Sequence, residues 1–154
     1  MKRFITILAA LLAFGLVASA QLNVTHKGEK TEKIATARMG YVRLYQSGEK
    51  FYMTLPSNNR FEKSEIFWLG ESIDSAVQTL DDIVGLYDTL EDSMTVTDAA
   101  GEEVIIVKDG ANLNFFWKVQ AGNRWLSKPE AKKLQNALQI LQWTINHPEV
   151  TDNP

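Results

Sequence analysis

The sequence predicts an α+β fold in which two helices cover antiparallel sheet, with the element order βββα-βββα. Two segments carry apolar residues at helical spacing, and short runs of branched and aromatic residues at strand spacing precede each of them. Each helical segment also follows a serine that can cap it. The 154 residues include no cysteine, so the fold uses no disulfide and has no thiol chemistry.

The segment 1–20 has the pattern of an export signal. Lys2 and Arg3 precede an apolar run over 4–17, and small residues follow at 18–20. The run of about 14 residues is shorter than the roughly 20 that span a bilayer. We therefore expect cleavage before Gln21 and a periplasmic or secreted mature chain without a membrane anchor.

The first strands form a predicted hairpin over 34–55 with its turn at Ser47-Gly48. If Gln46 pairs with Glu49, Leu44 faces Phe51 on the inner side of the sheet. A loop follows at 56–59, where the sequence is Pro-Ser-Asn-Asn.

A third strand is predicted at 65–69, and Ser72 then caps a helix that runs to about Glu91. Gly85 lies inside this helix, where glycine costs about 1 kcal/mol relative to alanine, and it indicates a kink or a close approach. One face of the helix carries the apolar residues Ile73, Ala76, Val77, Leu80, Ile83, Val84, Tyr87 and Leu90.

The second half repeats this order. Strands are predicted at 95–97, 103–107 and 113–120, and a helix begins at Ser127, which has capping-box spacing to Glu130. Pro148 ends this helix and a flexible tail is expected over 149–154. The predicted core stripe of the helix comprises Ala131, Leu134, Leu138, Leu141 and Ile145.

The two halves can be aligned with each other. Placing Trp68-Leu69 on Trp125-Leu126 also aligns Val77 with Leu134 and Ile83 with Ile140. A single domain over 21–148 that contains two repeats, 34–92 and 93–147, explains this match. Shared apolar spacing at any two strand–helix junctions explains it equally well.

The order of strands and helices is similar to the tandem layout of the Whirly and Pur families of single-stranded nucleic-acid-binding proteins. The resemblance covers most of the mature chain, rests on topology alone and transfers no family residues. It implies a nucleic-acid ligand, which the charge of the chain does not favour.

Removal of Lys2 and Arg3 with the predicted signal leaves 14 of the 16 basic residues against 19 acidic ones, a net charge of −5. The segments 21–63, 64–110 and 111–154 carry +4, −11 and +2. Phosphate binding depends on Lys and Arg, so the acidic chain makes nucleic acid and anionic membrane poor partners. The acidic first helix is either a solvated face or a docking face for a basic partner.

The sequence does not predict an enzyme. Its two histidines, His26 and His147, are expected on the surface, and it has no zinc-protease, nucleophile-elbow or phosphate-loop motif. The carboxylates Asp81, Asp82 and Asp88 lie opposite the apolar stripe of their helix and are expected to be solvated. We expect no catalytic residue, no metal site and no cofactor.

The outward side of the first hairpin is the candidate binding surface. It combines aromatic rings with cations, which suits a glycan, a peptide or a protein. Burial of this side beneath the second repeat is the alternative. Phe115 and Trp117, with Trp68 and Trp125 at the strand–helix junctions, are expected in the core. The candidate binding residues are Tyr41, Arg43, Tyr45, Lys50 and Tyr52, together with Trp143 on the second helix.

The sequence therefore favours a small exported, non-catalytic binding or interaction protein of unknown ligand. The alternative is a proteinaceous inhibitor of an exported hydrolase that uses the loop 56–63 or the acidic first helix.

Overall fold

The computed structural model describes residues 30–118 and 123–150, so the predicted export signal, His26 and the residues 151–154 lie outside it. The described residues form two four-stranded antiparallel sheets, β1-β2-β3-β4 and β5-β6-β7-β8, and each sheet is followed by a helix. The elements are β1 Thr31–Ala37, β2 Val42–Ser47, β3 Lys50–Leu55, β4 Glu65–Gly70, α1 Ile73–Thr89, β5 Ser93–Thr97, β6 Glu103–Asp109, β7 Asn112–Trp117, β8 Arg124–Ser127 and α2 Lys128–Asn146.

The α+β class, the antiparallel pairing and the strands-then-helix order in each half are confirmed. Each half has one strand more than the three that the sequence separates. The first run is interrupted at Arg38–Gly40, where Arg38, Met39 and Gly40 have φ values of 46°, 53° and 89°. These left-handed residues turn the chain between β1 and β2. The second additional strand is β8, which is only four residues long and continues directly into α2.

The hairpin between β2 and β3 has a different register from the predicted one. Ser47 pairs with Lys50, so the two turn residues are Gly48 and Glu49, and Leu44 pairs with Met53 rather than with Phe51. Of the two turn residues only Gly48 has a positive φ, 61°. This is the hairpin turn that places glycine at its first position. The partner of Leu44 moves by two residues, so the inward side of each strand is unchanged.

The core lies between the inward sides of the two sheets and the apolar stripes of the helices. Phe67 of the first sheet meets Phe115 of the second edge to face, with ring centroids 5.6 Å apart. The Tyr87 hydroxyl of α1 donates a 2.7 Å hydrogen bond to the Leu126 carbonyl of β8. Both halves therefore contribute to one hydrophobic cluster.

Helices α1 and α2 pack against each other through a regular polar seam. The carboxylates of Asp74, Asp81 and Asp88, which recur at heptad spacing on α1, accept hydrogen bonds from side chains of α2. Their donors, at the same spacing but in reverse order, are Gln142, Gln135 and Lys128. The expectation that these carboxylates lie opposite the packed face is wrong for Asp81, which binds Gln135 of α2. Asp88 pairs with Lys128 but is exposed, as expected.

The first turn of each sheet packs against the last strand of the other sheet. The Arg38 guanidinium donates to the Trp125 carbonyl of β8 at 2.8 Å. In return, the Asp98 carboxylate accepts from the Trp68 amide of β4 at 3.1 Å, and the Ala99 amide donates to the Trp68 carbonyl at 3.1 Å. This reciprocal contact makes a tandem repeat plausible.

The residue matches of the proposed repeat hold at some positions and fail at others. Leu69 and Leu126 are both buried, as are Val77 and Leu134. Ile83 is 3% exposed, whereas Ile140 is 67% exposed.

No helix within 30–118 and 123–150 has the length and apolar character needed to cross a membrane.

Candidate functional site

The candidate site is the outward side of the first sheet, which we call the ladder face. The strand register places one cross-strand row of Lys33, Tyr45, Tyr52 and Trp68 at its centre. Its outward residues are Thr31, Lys33, Thr36, Arg43, Tyr45, Ser47, Lys50, Tyr52, Thr54, Ile66 and Trp68. None of these outward residues is acidic.

The three aromatic residues of the row contact one another. The rings of Tyr45 and Tyr52 stack with centroids 5.2 Å apart and an interplanar angle of 23°. The Trp68 ring lies 4.8 Å from Tyr52 on the other side and is tilted by 50°. Tyr52 is thus flanked by rings on both sides, and the three rings form one continuous row.

The ladder face is not buried beneath the second half. Tyr45, Tyr52 and Trp68 are each half-buried, and Lys50 and Arg43 are exposed. The fold therefore keeps the predicted hairpin residues on one accessible surface. Each half-buried ring still packs on its neighbours, so the residues of this face also contribute to the stability of the sheet.

The six predicted binding residues do not all lie on this face. Tyr41 precedes β2 in the chain and is 63% exposed at the edge of the sheet. Trp143 lies on α2, outside the sheet, where it is 51% exposed and stacks on His147 with ring centroids 4.6 Å apart. The other four, Arg43, Tyr45, Lys50 and Tyr52, are brought together on the ladder face.

Burial raises the pKa of the Tyr52 hydroxyl above its ordinary value of 10.0, and the neighbouring Tyr45 hydroxyl raises it further. Tyr52 therefore keeps its proton at neutral pH and can donate a hydrogen bond to a ligand. The Arg43 guanidinium is held over the β1–β2 turn by a 2.6 Å hydrogen bond from its Nε to the Gly40 carbonyl.

A basic depression borders the ladder face beside β1. It has a volume of about 360 Å³, and its lining includes Lys33, Thr36, Arg43 and Lys133. Three cations around one depression favour a negatively charged group as its occupant. Lys133 of α2 is a contribution that the sequence did not predict, because it comes from the other half of the chain.

The sequence predicted Trp68 and Trp125 in the core, and this prediction is wrong. Both are half-buried on the outward side of the last strand of their sheets. The indole of Trp125 is covered by the Arg38 guanidinium, whose carbon lies 3.3 Å from the ring centroid. Trp117 is also half-buried, whereas Phe115 is fully buried as predicted. Strand alternation puts Trp68 on the outward side of β4, but its contact with Tyr52 depends on the β3–β4 register, which the sequence did not predict.

The loop between β3 and β4 is anchored at several points. The Ser57 hydroxyl donates to the Glu62 carboxylate at 2.5 Å, and the Asn58 side-chain carbonyl accepts from the Trp125 indole at 2.8 Å. At the tip of this loop Phe61 is 83% exposed, with the Arg60 guanidinium 4.9 Å from the ring centroid.

The described segments contain no group of three or more acidic or histidine side chains that could hold a metal ion. His147 is exposed on the surface, as expected. No protein family model matches the chain, and no curated protein or solved structure is detectably similar to it. The similarity to the Whirly and Pur layouts therefore stays a similarity of element order.

Proposed function

We propose that the protein is an exported, non-catalytic binding protein whose ligand lies on the ladder face. The observation that carries this proposal is the row of Tyr45, Tyr52 and Trp68, which stays accessible between cations instead of being covered by the second half. Aromatic rings and cationic groups held on a sheet supply contact area without a large loss of conformational entropy.

The charge of the surface indicates the ligand chemistry. Lys33, Arg43 and Lys50 lie on a face without outward carboxylates, although the mature chain is acidic overall. We therefore expect the ligand, whether glycan, peptide or protein, to carry negative charge. The basic depression beside β1 would take one of its anionic groups.

Binding fits this surface better than catalysis does. The outward residues of the ladder face include no carboxylate and no histidine that could act as a general base for the tyrosine hydroxyls. Fixed donors and rings can hold a ligand without any proton transfer. The predicted export signal places this ligand in the periplasm or outside the cell.

The experiment is a calorimetric titration of the mature protein with four probes. Hexagalacturonate and hexaglutamate are anionic chains, cellohexaose is a neutral chain, and a single-stranded oligonucleotide tests the ligand that the Whirly and Pur layout implies. We expect saturable binding of one of the two anionic chains that weakens as salt is raised. Binding of the neutral chain alone, of the oligonucleotide alone, or of none of the four would overturn the proposal.

The anchored loop supports a second candidate, the inhibitor of an exported hydrolase. A pinned loop with a large exposed apolar residue at its tip loses little entropy on entering a cleft, and Phe61 is such a residue. The test is inhibition of a panel of exported glycosidases and proteases by the protein and by Phe61→Ala. Met39→Ala is the matched control, because Met39 is also fully exposed but lies in the β1–β2 turn. Equal inhibition by both variants, or no inhibition at all, would contradict this candidate.

A further inference from the structure

A groove of about 800 Å³ lies beyond β4, on the side of Trp68 that faces the second half of the chain. Its walls carry two indoles, from Trp68 and Trp117, and the apolar side chain of Ile66. Its charged lining side chains are the carboxylates of Glu65, Glu102 and Glu103 and the ammonium of Lys118. The groove therefore combines aromatic surface with negative charge, whereas the adjoining ladder face is basic.

The basic groups near the groove neutralise only part of this charge. Lys118 pairs with Glu103. Arg124 lies 4.0 Å from Glu65, the upper limit for an ion pair. Glu102 immediately precedes β6 and is exposed. An incoming cation can therefore meet a carboxylate and an indole in the same groove.

The fold already contains this combination at the corresponding place in its second half. The Arg38 guanidinium covers the indole of Trp125, 3.3 Å from its centroid, and makes two hydrogen bonds of 2.9 and 2.8 Å to the Glu130 carboxylate. Trp125 and Trp68 occupy the same position, the outward side of the last strand of their sheets. At Trp68 the corresponding contact comes from Asp98 of the second half, which binds the backbone of Trp68 and supplies no cation to its ring.

We propose that the groove is a binding site for an arginine side chain from an extended segment of a partner protein. The guanidinium stacks on the Trp68 indole as Arg38 stacks on Trp125, and Glu102 accepts its hydrogen bonds as Glu130 does for Arg38. The groove shares Trp68 and Ile66 with the ladder face but extends to residues of the second half and carries the opposite charge, so it goes beyond the proposed function. Arginine suits it better than lysine because a planar guanidinium can stack and form paired hydrogen bonds at the same time.

The test follows the indole N–H signals of the four tryptophans by NMR during titration with the peptide acetyl-Gly-Arg-Gly-amide. We expect saturable shifts at Trp68 and Trp117 and none at Trp143. The same peptide with citrulline keeps the shape of arginine without its charge, and it should bind at least about tenfold more weakly. Cellotriose tests the groove as a sugar site.

The variant Glu102→Gln should bind the arginine peptide at least about threefold more weakly. Glu91→Gln, which changes an exposed carboxylate outside the groove, should leave the affinity unchanged. Arg43→Ala on the ladder face should also leave it unchanged, which separates this site from the proposed function. The inference is overturned if the Trp68 signal does not saturate by about 10 mM peptide, if citrulline binds equally well, or if cellotriose saturates the same signals.

Discussion

The guanidinium of Arg38 and the indole of Trp125 are stacked, with the guanidinium carbon 3.3 Å from the ring centroid, although the two residues are 87 positions apart. Arg38 lies in the first turn of the first sheet and Trp125 in the last strand of the second sheet. The contact therefore joins the two halves. It also explains the left-handed φ of 46° at Arg38, a conformation that costs about 1 kcal/mol or more and requires compensation.

Arg38→Ala should lower the free energy of unfolding by about 2 to 3 kcal/mol, because it removes the cover of Trp125 and leaves the Glu130 carboxylate without its cation. The side chains of Arg38 and Glu130 are only 20% and 15% exposed, so water screens the pair weakly. Chemical denaturation measures the effect. Arg60→Ala is the control, since Arg60 is exposed and lies beside Phe61 at the loop tip. Equal stability of the two variants would contradict the account.

The loss caused by Arg38→Ala should depend on pH. Burial opposes ionisation of Glu130, but hydrogen bonds from Arg38 and Ser127 outweigh it and hold the pKa of this carboxyl below its ordinary 4.5. A carboxyl with a lowered pKa in the folded state stabilises the protein above the unfolded-state pKa and stops doing so as pH falls through the folded-state pKa. Denaturation at a series of pH values should therefore show a difference in stability between the wild type and Arg38→Ala that is largest near neutral pH and shrinks as the carboxyl groups become protonated in acid. A difference that grows in acid would refute this assignment.

Two glycine substitutions should have opposite effects. A Cβ at Gly70 would lie 2.6 Å from the backbone nitrogen of Ala76 in the first turn of α1, so Gly70→Ala should cost at least about 2 kcal/mol. A Cβ at Gly85 would meet nothing within 4 Å, so Gly85→Ala should stabilise α1 by about 0.5 to 1 kcal/mol. Thermal and chemical unfolding of the pair compares them directly. If both substitutions change the free energy of unfolding in the same direction, the close packing of Gly70 in β4 against α1 is contradicted.

Asp98→Asn should destabilise the protein by about 1 to 2 kcal/mol, although it changes few atoms. The carboxylate of this buried residue accepts from the amides of Trp68, Ala100 and Glu102. The side-chain NH₂ group of asparagine would replace one of these acceptor oxygens and would face a backbone N–H that has lost its acceptor. Asp92→Asn at the exposed start of the second sheet is the control. Unchanged unfolding of both variants would mean that Asp98 does not hold the β5–β6 turn on β4.

Tyr45→Ala and Tyr52→Ala should each cost less than about 3 kcal/mol, the lower end of the range for fully buried aromatic residues. Phe51→Ala is the matched control from the inward side of β3, where Phe51 is 2% exposed, and it should cost more. Equilibrium denaturation of the three variants ranks them. If the tyrosine variants lose as much stability as Phe51→Ala, the ladder face is core and cannot be a binding surface.

Much of the fold could be predicted because the pattern of apolar residues and the local capping residues favour the same helices and strands. Strand alternation put Leu44 and Phe51 inside, and the apolar spacing and Ser72 defined α1. The sequence did not predict the turn at Arg38, since Arg38 and Met39 adopt a left-handed conformation that local propensity disfavours. The conformation of Arg38 is held by its contacts with the other half of the chain.

The candidate site could be predicted only within one hairpin. Tyr45, Tyr52 and Lys50 are close in sequence, and period two places the two rings on one side. Trp68 joins them through the pairing of β4 with β3, and Lys133 approaches from α2. Both arrive through tertiary structure, which the spacing of residues along the chain does not encode.

The most direct test of the central claim, that the ladder face binds an anionic ligand, compares two variants with the same change of charge. Arg43→Gln with Lys50→Gln removes two cations from the face, and Arg60→Gln with Lys63→Gln removes two exposed cations from the loop between β3 and β4. Calorimetry with the anionic chain that binds the wild type should show at least about tenfold weaker binding for the first variant and an unchanged affinity for the second. Equal weakening of both variants, or none in the first, would contradict the claim.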